Sequence, residues 1–376
     1  MTLVQRKVNT VAYSWSQWRL LSDTWTTLAS QCSQCSLFLT SNWLETWLEV
    51  FGPQLNPSLL LFQFENQPVG ACLVSKGNSR SAMIPVQRIS LNATGESPQD
   101  ATYSEFNDLL CLEGWESEVA VALAEYLSHD EWDELSLDGF TNSPIYQSLL
   151  STFDTLEQEE TWHPSYFVNL QQLRHIGQTF EMSLSQKRRK HLRQSNRYFA
   201  THGPIQVQAA RTPTEAVSMF HELGALNLLR RKARGGETIF ASPMFLAFHR
   251  ALITKHMLPG VTHLLAVRAG EQLIGLVYNL IHKKKVYFYQ CGFNYSTGET
   301  LSPGIVTLAH VIQFYLDHNY HEFDFLSGES DYKQSLSTDC RNLVWTVLRK
   351  PGLKHGLIRS LRGIKTRVAG SSLRSN

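Results

Sequence analysis

The chain has 376 residues, with 34 Lys plus Arg against 33 Asp plus Glu, a net charge of +1. At roughly 150 residues per domain this length suits two similar lobes, and the near-neutral balance lacks the field that concentrates nucleic acid, so no DNA partner is expected. Apolar residues at 43% and charged residues at 18% fit an ordered globular chain. The opening segment lacks the apolar run of a secretory signal, no stretch of 18 apolar residues occurs, and the six cysteines are scattered, so a cytoplasmic location is the expectation.

Apolar periodicity predicts helices over 18–32 and 42–51, the second with Trp43, Leu44, Trp47, Leu48 and Phe51 at three-and-four spacing. Short apolar runs at 58–65, 68–76 and 83–91, broken by Asn66-Gln67 and Lys76-Gly77-Asn78, read as a meander of strands. A helix at 116–129, a strand at 134–138, a short helix at 144–153 and a closing strand near 165–170 follow. Past a basic stretch at 186–197 the same order returns. Helices at 214–230 and 242–255 lead to strands at 262–268, 273–282 and 285–292, then a long amphipathic helix at 304–318. A strand at 322–326, a short helix at 331–335 and a last strand at 342–348 complete it.

The halves also align locally without gaps. LLLFQFENQPVGACLV at 59–74 superposes on LLAVRAGEQLIGLVYN at 264–279, with Gln67 over Gln272 and Gly70 over Gly275. WDELSLDG, ending at Gly139, matches HEFDFLSG, ending at Gly328. A duplicated unit is inferred, with lobes at 1–175 and 176–350 and a basic tail at 351–376.

Four segments of the second half carry a specific pattern: YFYQCGFN at 287–294, Ser302-Pro303-Gly304 opening a helix, FDFLSGESDYK at 323–333, and the basic SQKRRKHLRQSNR at 185–197. With the element order, they resemble the GNAT acyltransferase fold, an α/β class with mixed sheets, in its tandem form. The pattern is similar to the CelD-like (cellulose-biosynthesis protein) acetyltransferases, which are related to the FemAB peptidyltransferases. The resemblance implies direct acyl transfer from acetyl-CoA or another acyl-CoA to an amine, without a metal, with the donor held by the second lobe and the amine acceptor by the cleft between lobes. The acceptor would be an amino sugar, a sugar nucleotide or another polysaccharide precursor. The FemAB branch implies aminoacyl-tRNA as donor instead, with the basic segments contacting RNA, and a non-catalytic binding or assembly module is a third reading. One part departs from the family pattern. The usual pyrophosphate loop is replaced by Thr297-Gly298-Glu299-Thr300-Leu301-Ser302-Pro303-Gly304.

A helix that begins at Ser302, Pro303 and Gly304 offers unpaired N–H groups and the positive end of its dipole to an anion, though an ordinary capped helix start has the same residues. Gln290 and Gly292, at the end of the aromatic strand, complete the donor-binding set that the resemblance implies. Acylation of an amine needs a deprotonated nitrogen, a stabilised oxyanion and a protonated leaving thiolate. Tyr332 lies where many GNAT enzymes place the tyrosine that donates to the departing sulfur. Lys333 could neutralise a phosphate or oxyanion, and Asp324 could orient it or accept a proton. Glu329 and Asp331 are alternative bases, with Glu329 also assigned to the acceptor. The plainer reading is a surface Tyr-Lys pair beside a satisfied Asp324.

Arg189, Arg193 and Arg197 recur at four-residue steps and share one helix face, which suits an anionic donor or acceptor or else a solvated helix. Arg230, Arg231, Lys232 and Arg234 before Gly235-Gly236 read as an acceptor-gating loop or as compensation of a helix dipole. Metal is not expected. Cys32 and Cys35 form a lone C-x-x-C, and His221-Glu222 and His321-Glu322 meet Ala225 and Phe325 where a second zinc-binding His would stand. No G-x-S-x-G elbow, Walker loop or dinucleotide fingerprint occurs. The basic, Leu- and Ile-spaced stretch at 354–374 reads either as a peripheral membrane contact or as a terminal helix with a polar tail.

Overall fold

The computed structural model describes residues 6–81, 83–296, 301–352 and 356. The chain divides into two compact units, the first formed by 1–97, 102–162 and 343–376 and the second by 98–101 and 163–342. Both are mixed α/β.

In the first unit, β1 (Asn9–Ser14), α1 (Trp18–Gln31) and α2 (Ser41–Leu55) precede β2 (Ser58–Phe64), β3 (Gln67–Ser81) and β4 (Ile84–Leu91). The stripe Trp43, Leu44, Trp47, Leu48 and Phe51 is fully buried, as its helical spacing requires. α2 stops where Asn56 turns left-handed at φ 42° and its N–H bonds back to the Gly52 carbonyl at 2.8 Å. Glu65 and Asn66 both take positive φ and close the β2–β3 hairpin. The chain then leaves the sheet at Asn92 and returns as β5 (Leu110–Cys111), followed by α3 (Glu116–Ser128), β6 (Glu134–Phe140), α4 (Pro144–Thr152) and β7 (Glu157–Asn169). β4 runs parallel to β6 from Arg88↔Glu134 to Ser90↔Ser136.

The second unit opens with α5 (Leu170–His175), α6 (Phe180–Ser183), α7 (Gln186–Ala200) and β8 (Ile205–Ala209). The repeated order follows: α8 (Pro213–Ala233), α9 (Pro243–His256), β9 (Thr262–Ala269), β10 (Gln272–His282), β11 (Lys285–Phe293), α10 (Pro303–Asp317), β12 (Glu322–Ser327), α11 (Asp331–Leu336) and β13 (Asp339–Arg349). β8, β9, β10 and β11 pair antiparallel in sequence order, and β12 joins β11 in parallel. α10 carries apolar residues nearly all round and buries eleven of its fifteen. Its partners are Val277, Val286, Phe288 and Phe323 from the sheet.

The two halves exchange strands, which the pattern of apolar residues does not announce. The strand expected to close the first lobe, the C-terminal part of β7, pairs with β12 of the second unit at Glu322↔Asn169, Phe323↔Val168 and Asp324↔Phe167. Conversely the last strand of the chain, β13, pairs with β6 of the first unit from Val344↔Phe140 to Arg349↔Glu134. The units therefore meet the chain at 162/163 and 342/343, inside β7 and β13.

Candidate active site

The site begins with a failure of strand pairing. β11 and β12 are in register only at Lys285↔Glu322, Val286↔Phe323 and Tyr287↔Asp324, after which Phe288–Phe293 pair with β10 alone among the described residues. A bulge drives the departure. Tyr278 faces Gln290 while Asn279 faces Phe288, so Tyr289 is the inserted residue, and a bulge bends its strand. It also resets the alternation, so that Val286 and Phe288 before it and Cys291 and Phe293 after it all pack on the α10 side. On the opposite side the Tyr289 hydroxyl meets Nε2 of the buried His249 at 3.1 Å, and the Tyr278 hydroxyl meets Nδ1 at 3.3 Å.

Around this opening stand groups from four elements. Tyr332, on α11, packs against the core with its ring 6.3 Å from that of Phe325 in edge-to-face contact. Burial pushes its phenol well above the usual tyrosine range, and the negative fields of Cys291 and Tyr295 push it further. Tyr332 therefore holds its proton. Burial pushes the Cys291 thiol up to about 12, against the opposing pull of Lys333 and Arg231. At the C-terminal end of α8 the Arg230 guanidinium lies 4.0 Å over the Tyr295 ring, and Asn227 Nδ2 donates to the Cys291 carbonyl at 3.3 Å. Neither Cys291 nor Tyr295 was singled out by the sequence. The only signal was their place in and after the aromatic strand motif.

α10 starts beside this group. Ser302 takes a left-handed conformation (φ 43°), its hydroxyl shares a 2.9 Å hydrogen bond with His191 of α7, and Pro303 fills the first helical position. The Ile305 and Val306 amides both return to the Ser302 carbonyl. Of the first-turn donors, Gly304 N–H is the one with no acceptor among the described residues.

Several expected roles change in the structure. Asp324 neither faces Lys333 nor stands open to accept a proton: it is fully buried, Oδ1 accepts from Ser165 Oγ (2.9 Å) and the Leu326 amide (2.7 Å), and Oδ2 lies 3.1 Å from Lys285 Nζ. Arg341, which also pairs with Glu322, lies 3.6 Å from Oδ2. Asp324 is a charge-compensated structural carboxylate. Lys333 binds the strand end, donating to the carbonyls of Ser327 (2.6 Å) and Leu326 (3.3 Å). The missing side chain of Gly292 makes room for α8, since a Cβ there would lie 2.6 Å from the Leu223 carbonyl oxygen. At Gly304 the space is taken by the Phe293 ring, 3.0 Å from an added Cβ. Gln290 lies past the last β11–β12 pair, and Glu329 sits in the turn between β12 and α11. Arg189, Arg193 and Arg197 do share one face of α7, but not the face that packs towards α10 and α11. Thr297-Gly298-Glu299-Thr300 and, apart from Gly356, the basic stretch at 354–374 lie outside the described residues.

The first unit repeats the frame with its gap closed. Within the excursion 92–109, the Asn107 backbone bridges Phe140 at the end of β6 and its amide donates to the Gly139 carbonyl at 2.9 Å. Asn92 Nδ2 holds Asn107 Oδ1 (2.8 Å) and the Asp108 carbonyl (2.5 Å). No group of three or more His, Cys, Asp or Glu that could hold a metal occurs among the described residues, and no helix there is long and apolar enough to cross a membrane.

A bulged strand parting from its parallel neighbour at a helix start, set in a duplicated mixed sheet, is the architecture of the GNAT fold. Comparison with known proteins agrees. Residues 186–334 match the family model of the acetyltransferase (GNAT) domain. The structure is similar to that of FemX, at a TM-score of 0.55 and 9% identity, covering 86% of this chain and 95% of that one. It is also similar to a tandem GNAT protein from the clavulanic acid biosynthesis pathway, at a TM-score of 0.50 and 10% identity over 92% of this chain and 100% of that one. A search of curated proteins by sequence gave no match.

Proposed function

We propose that the protein is an N-acyltransferase that moves an acyl group from an acyl-CoA to an amine, using the opening between β11 and β12 in the second unit. One observation carries this reading: the two strands separate after Tyr287↔Asp324, with the half-buried Tyr332 packed beside the gap. The unladdered edge of β11 offers backbone donors and acceptors to the amide-containing arm of a thioester. The start of α10 and the cations Arg230 and Arg231 suit its phosphates. Acetyl-CoA is the donor that the family resemblance suggests.

The amine lone pair attacks the thioester carbonyl, the C–N bond forms, and the C–S bond breaks as the tetrahedral intermediate collapses. The Tyr332 phenol gives its proton to the departing sulfur, and the proton lost from nitrogen passes to solvent or to a carboxylate such as Glu329 or Asp331. A phenol is protonated at neutral pH and can give its proton to the thiolate as charge develops on sulfur, and burial makes it the weaker acid of such a pair. The CelD-like resemblance suggests an amino sugar or polysaccharide precursor as acceptor. The second reading, aminoacyl-tRNA as donor, follows from the FemAB resemblance.

Tyr332→Phe should lower kcat by about a hundredfold while leaving CoA affinity within a factor of two. Equal turnover would remove Tyr332 from the chemistry. CoA at 100 times its dissociation constant should stabilise the protein by about 2.7 kcal/mol. No shift in Tm with millimolar CoA, together with salt-sensitive tRNA binding, would select the aminoacyl-tRNA reading.

A further inference from the structure

α7 presents two different faces. One is buried: Arg188 donates to Ser335 Oγ at 2.7 Å, His191 bonds Ser302, and Leu192 and Phe199 enter the core of the second unit. On the other side of the helix, Arg189, Lys190, Arg193 and Arg197 line a groove of about 940 Å³. At 1.5 Å per residue the three arginines span about 12 Å. Four cations crowd a groove, and the one ion pair they make among the described residues is Arg193 Nε to Glu181 at 2.6 Å. Arg189 uses one nitrogen on the Met182 carbonyl, at 3.0 Å. Lys190 and Arg197 have no bonded partner among the described residues.

We propose that this groove is a binding site for a diphosphate-bearing small molecule, separate from the acyl-donor opening. Guanidinium forks match phosphate oxygens two at a time, and arginines one helical turn apart can hold successive phosphate groups. Gln178, Gln186 and Gln194 line the same groove. Their amides supply both donors and acceptors for a sugar or base attached to the phosphates, while the Met182 side chain offers an apolar surface to a ring. The volume falls in the range of small-molecule sites. A nucleic acid is disfavoured because a chain of net charge +1 has no extended field to draw a polyanion, and the cations are gathered in one concavity. The inference does not depend on what the β11–β12 opening binds, because His191 and Arg188, which face that side, lie across the helix from the groove.

The test is calorimetric titration of the full chain with inorganic pyrophosphate and with ADP, alongside a thermal-shift titration with CoA. The expected result is binding of both diphosphates that weakens with added salt. In Arg193→Gln/Arg197→Gln the affinity should fall at least tenfold, with the CoA-induced shift retained. Arg197→Glu, at a position with no ion pair to break, should lose as much and guards against a folding defect in the double variant. Absence of binding at about 5 mM pyrophosphate, or equal binding by the variants, overturns the proposal. So does arginine-dependent capture of an RNA oligonucleotide or of phosphatidylglycerol vesicles without diphosphate binding. Because CoA carries a diphosphate of its own, only the CoA shift that survives in Arg193→Gln/Arg197→Gln reports on the acyl-donor opening. Its absence there, with diphosphate binding intact in wild type, would instead fail the acyl-CoA reading alone.

Discussion

Asp108 and Glu134 are both buried carboxyls of the first unit, and their surroundings give them opposite pH signatures. Burial raises the Asp108 carboxyl to about 7, although hydrogen bonds from Ser143, the Leu109 amide and Thr141 oppose the shift. Its folded value lies above its unfolded one, so the stability it contributes is complete below pH 4 and disappears as pH rises through 7. Burial also pushes Glu134 up, but hydrogen bonds and charge from Arg88 and Arg349 outweigh it and leave the carboxyl below the usual range. Its contribution is present above the ordinary carboxylate range and is lost on acidification. Urea midpoints measured between pH 4 and 8 should therefore flatten at the alkaline end in Asp108→Asn. Glu134→Gln should cost about 3 kcal/mol at neutral pH, because Arg88 and the buried Arg349 both lose a carboxylate partner, Arg349 keeping only its pair with the half-exposed Glu159. An unchanged pH profile in Asp108→Asn would show that its carboxyl ionises normally. At this scale the sequence locates Tyr332 just after β12, a local placement, and was uninformative about the surroundings of Asp324. The partners of Asp324, Ser165 and Lys285, lie on other strands, and no local pattern reveals that a carboxylate is already ion-paired.

Among the elements, the glycines of the two aligned halves explain why the repeat was legible. Gly70 and Gly275 superpose in sequence, and each is crowded within its own unit: an added Cβ would meet the Leu110 carbonyl oxygen at 2.8 Å and Val119 of α3 at 3.1 Å in one case and Thr307 Oγ1 of α10 at 2.5 Å in the other. The same physical demand left the same residue twice. Gly292→Ala should destabilise by about 1–3 kcal/mol or more, since the obstructing Leu223 oxygen is backbone and cannot step aside. Gly304→Ala meets only the Phe293 ring and should cost less, a ranking that parallel urea melts would confirm or reverse. Less legible were β1 and β8, short strands that pair on one side within their units and alternate only weakly between exposed and half-buried positions. The bulge at Tyr289 was likewise hidden, because an aromatic run such as YFYQ has the same composition with or without an extra residue. The gap between β4 and β6 is a further surprise. A segment as polar as 92–109 reads as a loop, yet Asn92 and Asn107 use their amides to knit that gap shut.

For the whole molecule, the exchange of β7 and β13 governs what can fold alone. A chain cut at 175, the boundary suggested by the repeat, would lack β13, leaving the β6 edge bare and Glu134 without Arg349. Such a fragment should fail to melt cooperatively and should aggregate, whereas a cooperative transition in circular dichroism would show that β13 is dispensable. Fold class and duplication could be read from sequence because periodicity reports which faces are apolar. Strand exchange could not, because both partners of an exchanged strand offer the same kind of edge.

The exchange also sets a timetable on the ribosome. The first unit is translated early, but its final β-ladder waits for Val344–Arg349. At bacterial to eukaryotic elongation speeds of about 5–20 residues per second, the interval from the end of the first unit's own stretch is about 10 to 40 s. During that window the nascent polypeptide carries an unfinished sheet, and its yield in the cell should respond to chaperone supply and to codon choice in the second half.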